Sequence, residues 1–148
     1  MRSKVFNTVF ENMLRVLLLA DTLDTPANVD RLAALDFICI YGKKCKVLDK
    51  NLHGDNEFGF AEFANKREKI TEAIKLSVRN DFINVEHTEQ GFLYSINDRG
   101  REIVQNIQSS YARAYTVGAK IVCRKFSGFT DDGVLQYISD RATESKEA

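Results

Sequence analysis

The sequence predicts an α+β fold that is mostly helical. Three observations predict it. Apolar residues recur at helical spacing through the first forty residues, two short β-prone runs flank a glycine turn near residue 90, and a long helical stretch follows them. A chain of 148 residues fits one domain and buries enough surface to fold without disulfide or metal staples.

From Val5 to Asp21, Phe6, Val9, Phe10, Met13, Leu14, Val16, Leu17 and Leu18 cover a broad helical face, which predicts a helix buried on most sides. Asp24 and Thr25 offer caps and Pro26 suits a first turn, so a second helix is expected from Pro26 to Tyr41, stopping at Gly42. Gly42 to Asn65 mixes glycines with the aromatic trio Phe58, Phe60 and Phe63, which points to a long loop or a short extra helix packed by those rings. Lys66 to Asn80 reads as a third helix. Phe82–Glu86 and Phe92–Ile96, joined around Glu89-Gln90-Gly91, read as a hairpin. Asn97 or Asp98 then caps a helix expected to run unbroken from Arg99 to Phe126, although Gly100 and Gly118 weaken it by about 1 kcal/mol each. A last, weaker helix is expected over Asp132–Thr143, with a frayed tail.

Helix, helix, helix, hairpin, helix is the order of a winged helix-turn-helix domain with a long C-terminal helix. The expected division is a winged-helix domain over residues 1–130 and an acidic C-terminal helix and tail over residues 131–148.

Composition removes several function classes. The longest apolar run is far short of a membrane span, and the start Met1-Arg2-Ser3-Lys4 lacks the apolar core of a signal peptide, so a cytoplasmic protein is expected. Cys39, Cys45 and Cys123 form no CxxC pair, and only His53 and His87 could join them. Reduced thiols with no metal role are therefore expected. Eight scattered glycines form no phosphate-binding loop, so no nucleotide or other cofactor is expected. Nor does a catalytic set emerge: Cys45 with His53 is the one nearby thiol and base, while Asp131-Asp132 and Glu86 with Glu89 suit a helix cap and a hairpin tip.

Net charge is zero, with 21 residues of each sign, which is not the footprint of a dedicated DNA-binding protein. On the third helix, Glu68, Glu72, Lys75 and Arg79 share one stripe of mixed sign, and the hairpin tip carries His87, Glu89 and Gln90 without an arginine. Both standard DNA-reading elements are thus poor candidates. The last third is different. No acidic residue lies between Glu102 and Asp131, and Arg113, Lys120 and Arg124 fall within about 40° of one another on a helix, with Lys125 beside them. Opposite them fall Ile107, Tyr111, Tyr115 and Val122. This stripe is either a solvated face or a contact to DNA phosphates or an acidic partner surface. A second basic cluster, Lys43, Lys44, Lys46 and Lys50, lies in the loop and reads as solvated.

Several short segments carry a resemblance: Asp30-Arg31-Leu32 and Leu35-Asp36-Phe37, Leu52-His53, Arg67-Glu68-Lys69-Ile70, Leu76, Gly91-Phe92-Leu93-Tyr94, Ser110-Tyr111, and Ala119-Lys120-Ile121-Val122. Together they resemble the second type of middle component of bacterial three-component ABC-ATPase systems. The chain departs from that pattern in having Gly54-Asp55-Asn56 where the family has a proline-rich loop, and in having no tryptophan.

The resemblance implies a non-catalytic adaptor subunit, encoded with a large ATPase similar to those of chromosome maintenance (SMC-like) and with an effector, often a nuclease. Such systems look like Lamassu-type defence against phages and plasmids. On this reading Phe58, Phe60 and Phe63 dock a partner or pack as a satellite of the core, and Arg113, Lys120, Arg124 and Lys125 approach DNA or an acidic partner. The alternative is a stand-alone winged-helix transcription regulator.

Overall fold

The computed structural model describes residues 8–53 and 60–147, the side chains of residues 145–147 excepted. Helix α1 spans Val9–Leu23, with the Thr8 hydroxyl accepting the Glu11 amide. That cap satisfies an otherwise orphaned donor and fixes the start of the helix. The expected start at Val5 lies outside the described residues. Asp24 closes the helix in the left-handed region, φ 55°.

Helix α2 spans Val29–Ile40 and begins three residues later than the Pro26 expected from the sequence. The reason is local competition. Ala27 is drawn into a β-bridge with Tyr94, and Asn28 caps the helix by accepting the Arg31 amide. After the turns that follow α2, a single 3₁₀ turn at Phe60–Glu62 runs directly into α3, Phe63–Arg79, so Phe63 is helical and α3 starts a turn earlier than expected.

Strands β1 (Ile83–Thr88) and β2 (Gly91–Ile96) form an antiparallel hairpin, paired from Ile83 with Ile96 to Thr88 with Gly91. Gly91 sits at φ 104°, a conformation a side chain would strain. The second edge of β2 is bridged at one residue by Ala27, whose amide and carbonyl both bond to Tyr94, at 3.0 and 2.8 Å.

The expected helix from Arg99 to Phe126 is two helices. Helix α4, Asp98–Gln105, is capped by Asn97, and α5, Ser110–Lys125, starts afresh where the Ser109 hydroxyl accepts the Ala112 amide. Ile107 therefore belongs to the link between them and not to the helix face on which the sequence placed it. Gly100 is required for packing: a Cβ there would run into the Phe82 carbonyl oxygen and come within 2.7 Å of Ile96 Cγ1. Helix α6, Asp131–Glu147, is longer than the expected Asp132–Thr143.

Helices α1 and α2 lie at the centre. α1 packs on α3, α4 and α5, and α2 packs on α3, α5 and α6. Leu17, Leu19, Leu32, Leu35, Ile38, Ile40, Ile70 and Ile74 are fully buried there, each contributing about 1.5 to 3 kcal/mol relative to exposure. Val134 and Ile138 of α6 join the same core, so the acidic C-terminal helix is packed onto the rest.

Candidate functional site

Three places concentrate chemistry: a buried polar hub, the outer face of α5, and a cleft between α3 and the hairpin.

The hub joins α1, α2 and α5. Arg15 and Asp36 are each 1% exposed and form a two-point ion pair, Nε to Oδ1 at 3.1 Å and a terminal nitrogen to Oδ2 at 3.3 Å. The Tyr115 hydroxyl donates to the same Asp36 Oδ1 at 2.7 Å. A charge so deep persists only when paired and hydrogen-bonded. Burial alone would lower the Arg15 pKa, but Asp36 outweighs it and the net shift is upward. Burial, followed by the negative Asp36, pushes the Tyr115 phenol well above its ordinary value. Nearby, His53 Nε2 and the Tyr111 hydroxyl share a 2.6 Å hydrogen bond with their rings stacked. Burial, then the cations Arg15 and Lys66, lowers His53 to about 4, so the ring is neutral at pH 7. Asp36, His53 and Tyr111, all in segments that carried the family resemblance, thus lie in the scaffold that fixes α5.

The thiols are poor nucleophiles. Burial raises Cys39 strongly, Cys45 to about 12 and Cys123 to about 11, which keeps each protonated near neutrality. The three are free cysteines. Among the described residues, no three His, Cys, Asp or Glu side chains converge as metal ligands.

The outer face of α5 divides lengthwise. Arg113, Lys120 and Arg124 are exposed along one side, as the spacing predicts, and the buried side carries Ala112, Tyr115, Ala119 and Val122. Arg113 leans back to donate to the Gln108 carbonyl at 2.7 Å, whereas Lys120 and Arg124 have no ion-pair partner among the described residues. Those two line a cleft of about 440 Å³ together with Arg31, Thr25, Cys123 and Ser127. Lys125 is not part of the stripe. It is turned about 120° away from Arg113 around the helix, and its Nζ lies 5.8 Å from the Phe126 ring centre and 5.7 Å from that of Tyr137.

Alongside the cations runs an apolar stripe that the charge pattern did not reveal. Val117 is 63% and Ile121 46% exposed, and Ala114 is exposed beside them. These residues form one wall of a shallow groove of about 180 Å³ whose other wall includes Leu48, Lys50 and Leu52. Apolar residues on both faces of one helix were the available signal.

The aromatic trio lies elsewhere. Phe60 and Phe63 pack on Phe37, with ring centres at 6.1 and 5.2 Å, as a half-buried satellite of the core; Phe58 lies outside the described residues. Of the loop lysines, Lys46 pairs with Glu144 of α6 at 3.0 Å.

The cleft between α3 and the hairpin is about 430 Å³ and is lined by Lys75, Val78, Arg79, Val85, Phe92 and Tyr94. On the α3 stripe the two glutamates precede the two cations, which lie at the C-terminal end beside the hairpin, with Glu72 one turn before Lys75. Arg67 nearby is engaged with Asp30.

This helical scaffold, with its two-stranded sheet, accompanies a match along the chain. The sequence model of the ABC-three component (ABC-3C) system Middle Component 2 matches residues 5–148. The chain belongs to that family. It is therefore a middle component of an ABC three-component system. The family match extends beyond the segments that carried the resemblance, through α1 at one end and α6 at the other. No curated protein and no solved structure matches the chain. Among the described residues no helix is long and apolar enough to cross a membrane.

Proposed function

We propose that this middle component is a non-catalytic, cytoplasmic winged-helix adaptor. It joins an SMC-like ATPase to an effector nuclease in a Lamassu-type complex that acts against phages and plasmids. The observation that carries the reading is the match to a middle component over residues 5–148. The form of α5 supports it. Its inner face is anchored by the buried Arg15, Asp36 and Tyr115 network, while its outer face offers cations beside aliphatic side chains. A rigid mount with an amphipathic outer surface suits protein contact more than chemistry.

On this reading Arg113, Lys120 and Arg124 contact an acidic partner surface or DNA held by the complex, with Lys125 at the edge of that contact. Phe60 and Phe63 support docking by fixing the start of α3 on Phe37.

The test is co-purification of the tagged chain with the ATPase and the third component expressed from the same system, alongside duplex binding by the chain alone at physiological salt. A stable complex with weak solitary DNA binding is expected. A chain that stays alone and binds one duplex sequence tightly would make it a transcription regulator instead.

A further inference from the structure

The pair Val85 and Tyr94 faces across the hairpin, and both backbone groups of Tyr94 are spent on Ala27. Opposed residues in an antiparallel ladder alternate between exchanging both hydrogen bonds and exchanging none. Val85 and Tyr94 are therefore a pair of the second kind, and the amide and carbonyl of Val85 point away from β2. The same alternation turns those of Ile83 and His87 outward. The outer edge of β2 is bridged at Tyr94 by Ala27. The other, the outer edge of β1, has no backbone partner outside the hairpin among the described residues.

Beside that open edge lies the cleft over which Val85 (46% exposed) and Phe92 (55% exposed) stand. Lys75 and Arg79 flank it and have no ion-pair partner among the described residues. An unpaired edge gives backbone hydrogen bonds to an extended chain, an apolar cleft takes alternate side chains, and unpaired cations select carboxylates. A DNA backbone would engage the cations but leave Val78, Val85 and Phe92 unsatisfied.

We propose that the outer edge of β1 receives an extended segment of a partner subunit, apolar and acidic in composition. It adds as a further strand, seats apolar side chains between Val78 and Phe92, and sets its carboxylates against Lys75 and Arg79. The proposal rests on the adaptor reading and names the chemistry of one partner contact.

Amide hydrogen exchange on the full chain, alone and in the complex with its ATPase and third component, tests the edge directly. Val85 and His87 become at least about tenfold more protected on assembly. Val85→Pro removes the outward amide without touching a hairpin bond, and Lys75→Glu with Arg79→Glu reverses the selecting charges. Each weakens assembly by about tenfold or more, with the circular dichroism of the chain unchanged.

If the complex forms and β1 exchanges as fast as in the free chain, strand addition is wrong while the adaptor reading stands. Protection of β1 in the free chain together with a concentration-dependent dimer would assign the edge to a second copy and overturn the proposal. It also fails if the charge reversals spare the complex but abolish binding of the chain to a random duplex. If no complex forms with the wild-type chain, the adaptor reading itself fails, and that outcome is read before any variant.

Discussion

The two sides of α5 meet opposite demands with similar residue types. On the inner side the buried charges are bonded to one another: Asp36 takes two bonds from Arg15 and one from Tyr115, all in the interior. On the outer side, Lys120 and Arg124 stand next to aliphatic side chains with no ion pair among the described residues. A polar group inside is costly to leave unpaired, whereas one outside costs almost nothing while it waits for a partner. The inner face therefore sets stability, and the outer face is free to serve recognition.

Removing one member of the buried pair is the severest test of that contrast. Asp36→Ala strands the Arg15 guanidinium and is expected to lower unfolding free energy by about 3 to 5 kcal/mol, measured by urea denaturation. Replacing both partners, Arg15→Met with Asp36→Leu, should cost clearly less than Asp36→Ala alone. Tyr115→Phe deletes a single bond to a charged acceptor and should cost about 1.5 to 3 kcal/mol in the same assay.

A milder effect comes from pH. His53 is held near 4 in the folded chain, below its ordinary value of 6.5. Between those values the unfolded chain binds more protons than the folded one, so its contribution is fully present above about pH 6.5 and is lost as pH falls towards 4. His53→Gln should flatten the stability profile across that window. Least of all, the triple change of Arg113, Lys120 and Arg124 to glutamate should alter unfolding by no more than about 0.5 kcal/mol per site while abolishing activity of the assembled system. A triple variant with full activity would remove the outer stripe from the mechanism, and one that fails to fold would break the contrast itself.

Much of the fold was legible because periodicity is a local signal. The α1 and α2 stretches, the hairpin and the basic spacing on α5 all follow from side chains within one or two turns of each other. What was not legible depends on distant partners. Pro26 looked like a helix start until Ala27 was claimed by Tyr94, 67 residues further on. The helix expected through residue 126 hid a second start, since Ser109 is an unremarkable residue until its hydroxyl is seen to cap α5. Arg15 reads as a polar interruption in an apolar helix, and only the approach of Asp36 explains it. The open edge of β1 was beyond reach for a related reason: sequence predicts a hairpin, but not which of its edges another segment will close.

The guanidinium of Arg31, rooted on α2, reaches the carbonyl of Phe126 at 2.7 Å, that of Phe129 at 2.9 Å and the carboxylate of Asp131 at 2.9 Å. It thus grips the last turn of α5, the corner after it and the first turn of α6 at once. Three anchors on one planar group leave that corner no axis to swing about. A pull exerted on α5 is therefore delivered to the centre of the molecule through α2. In mechanical terms the corner is a strut that ties α5 and α6 to α2.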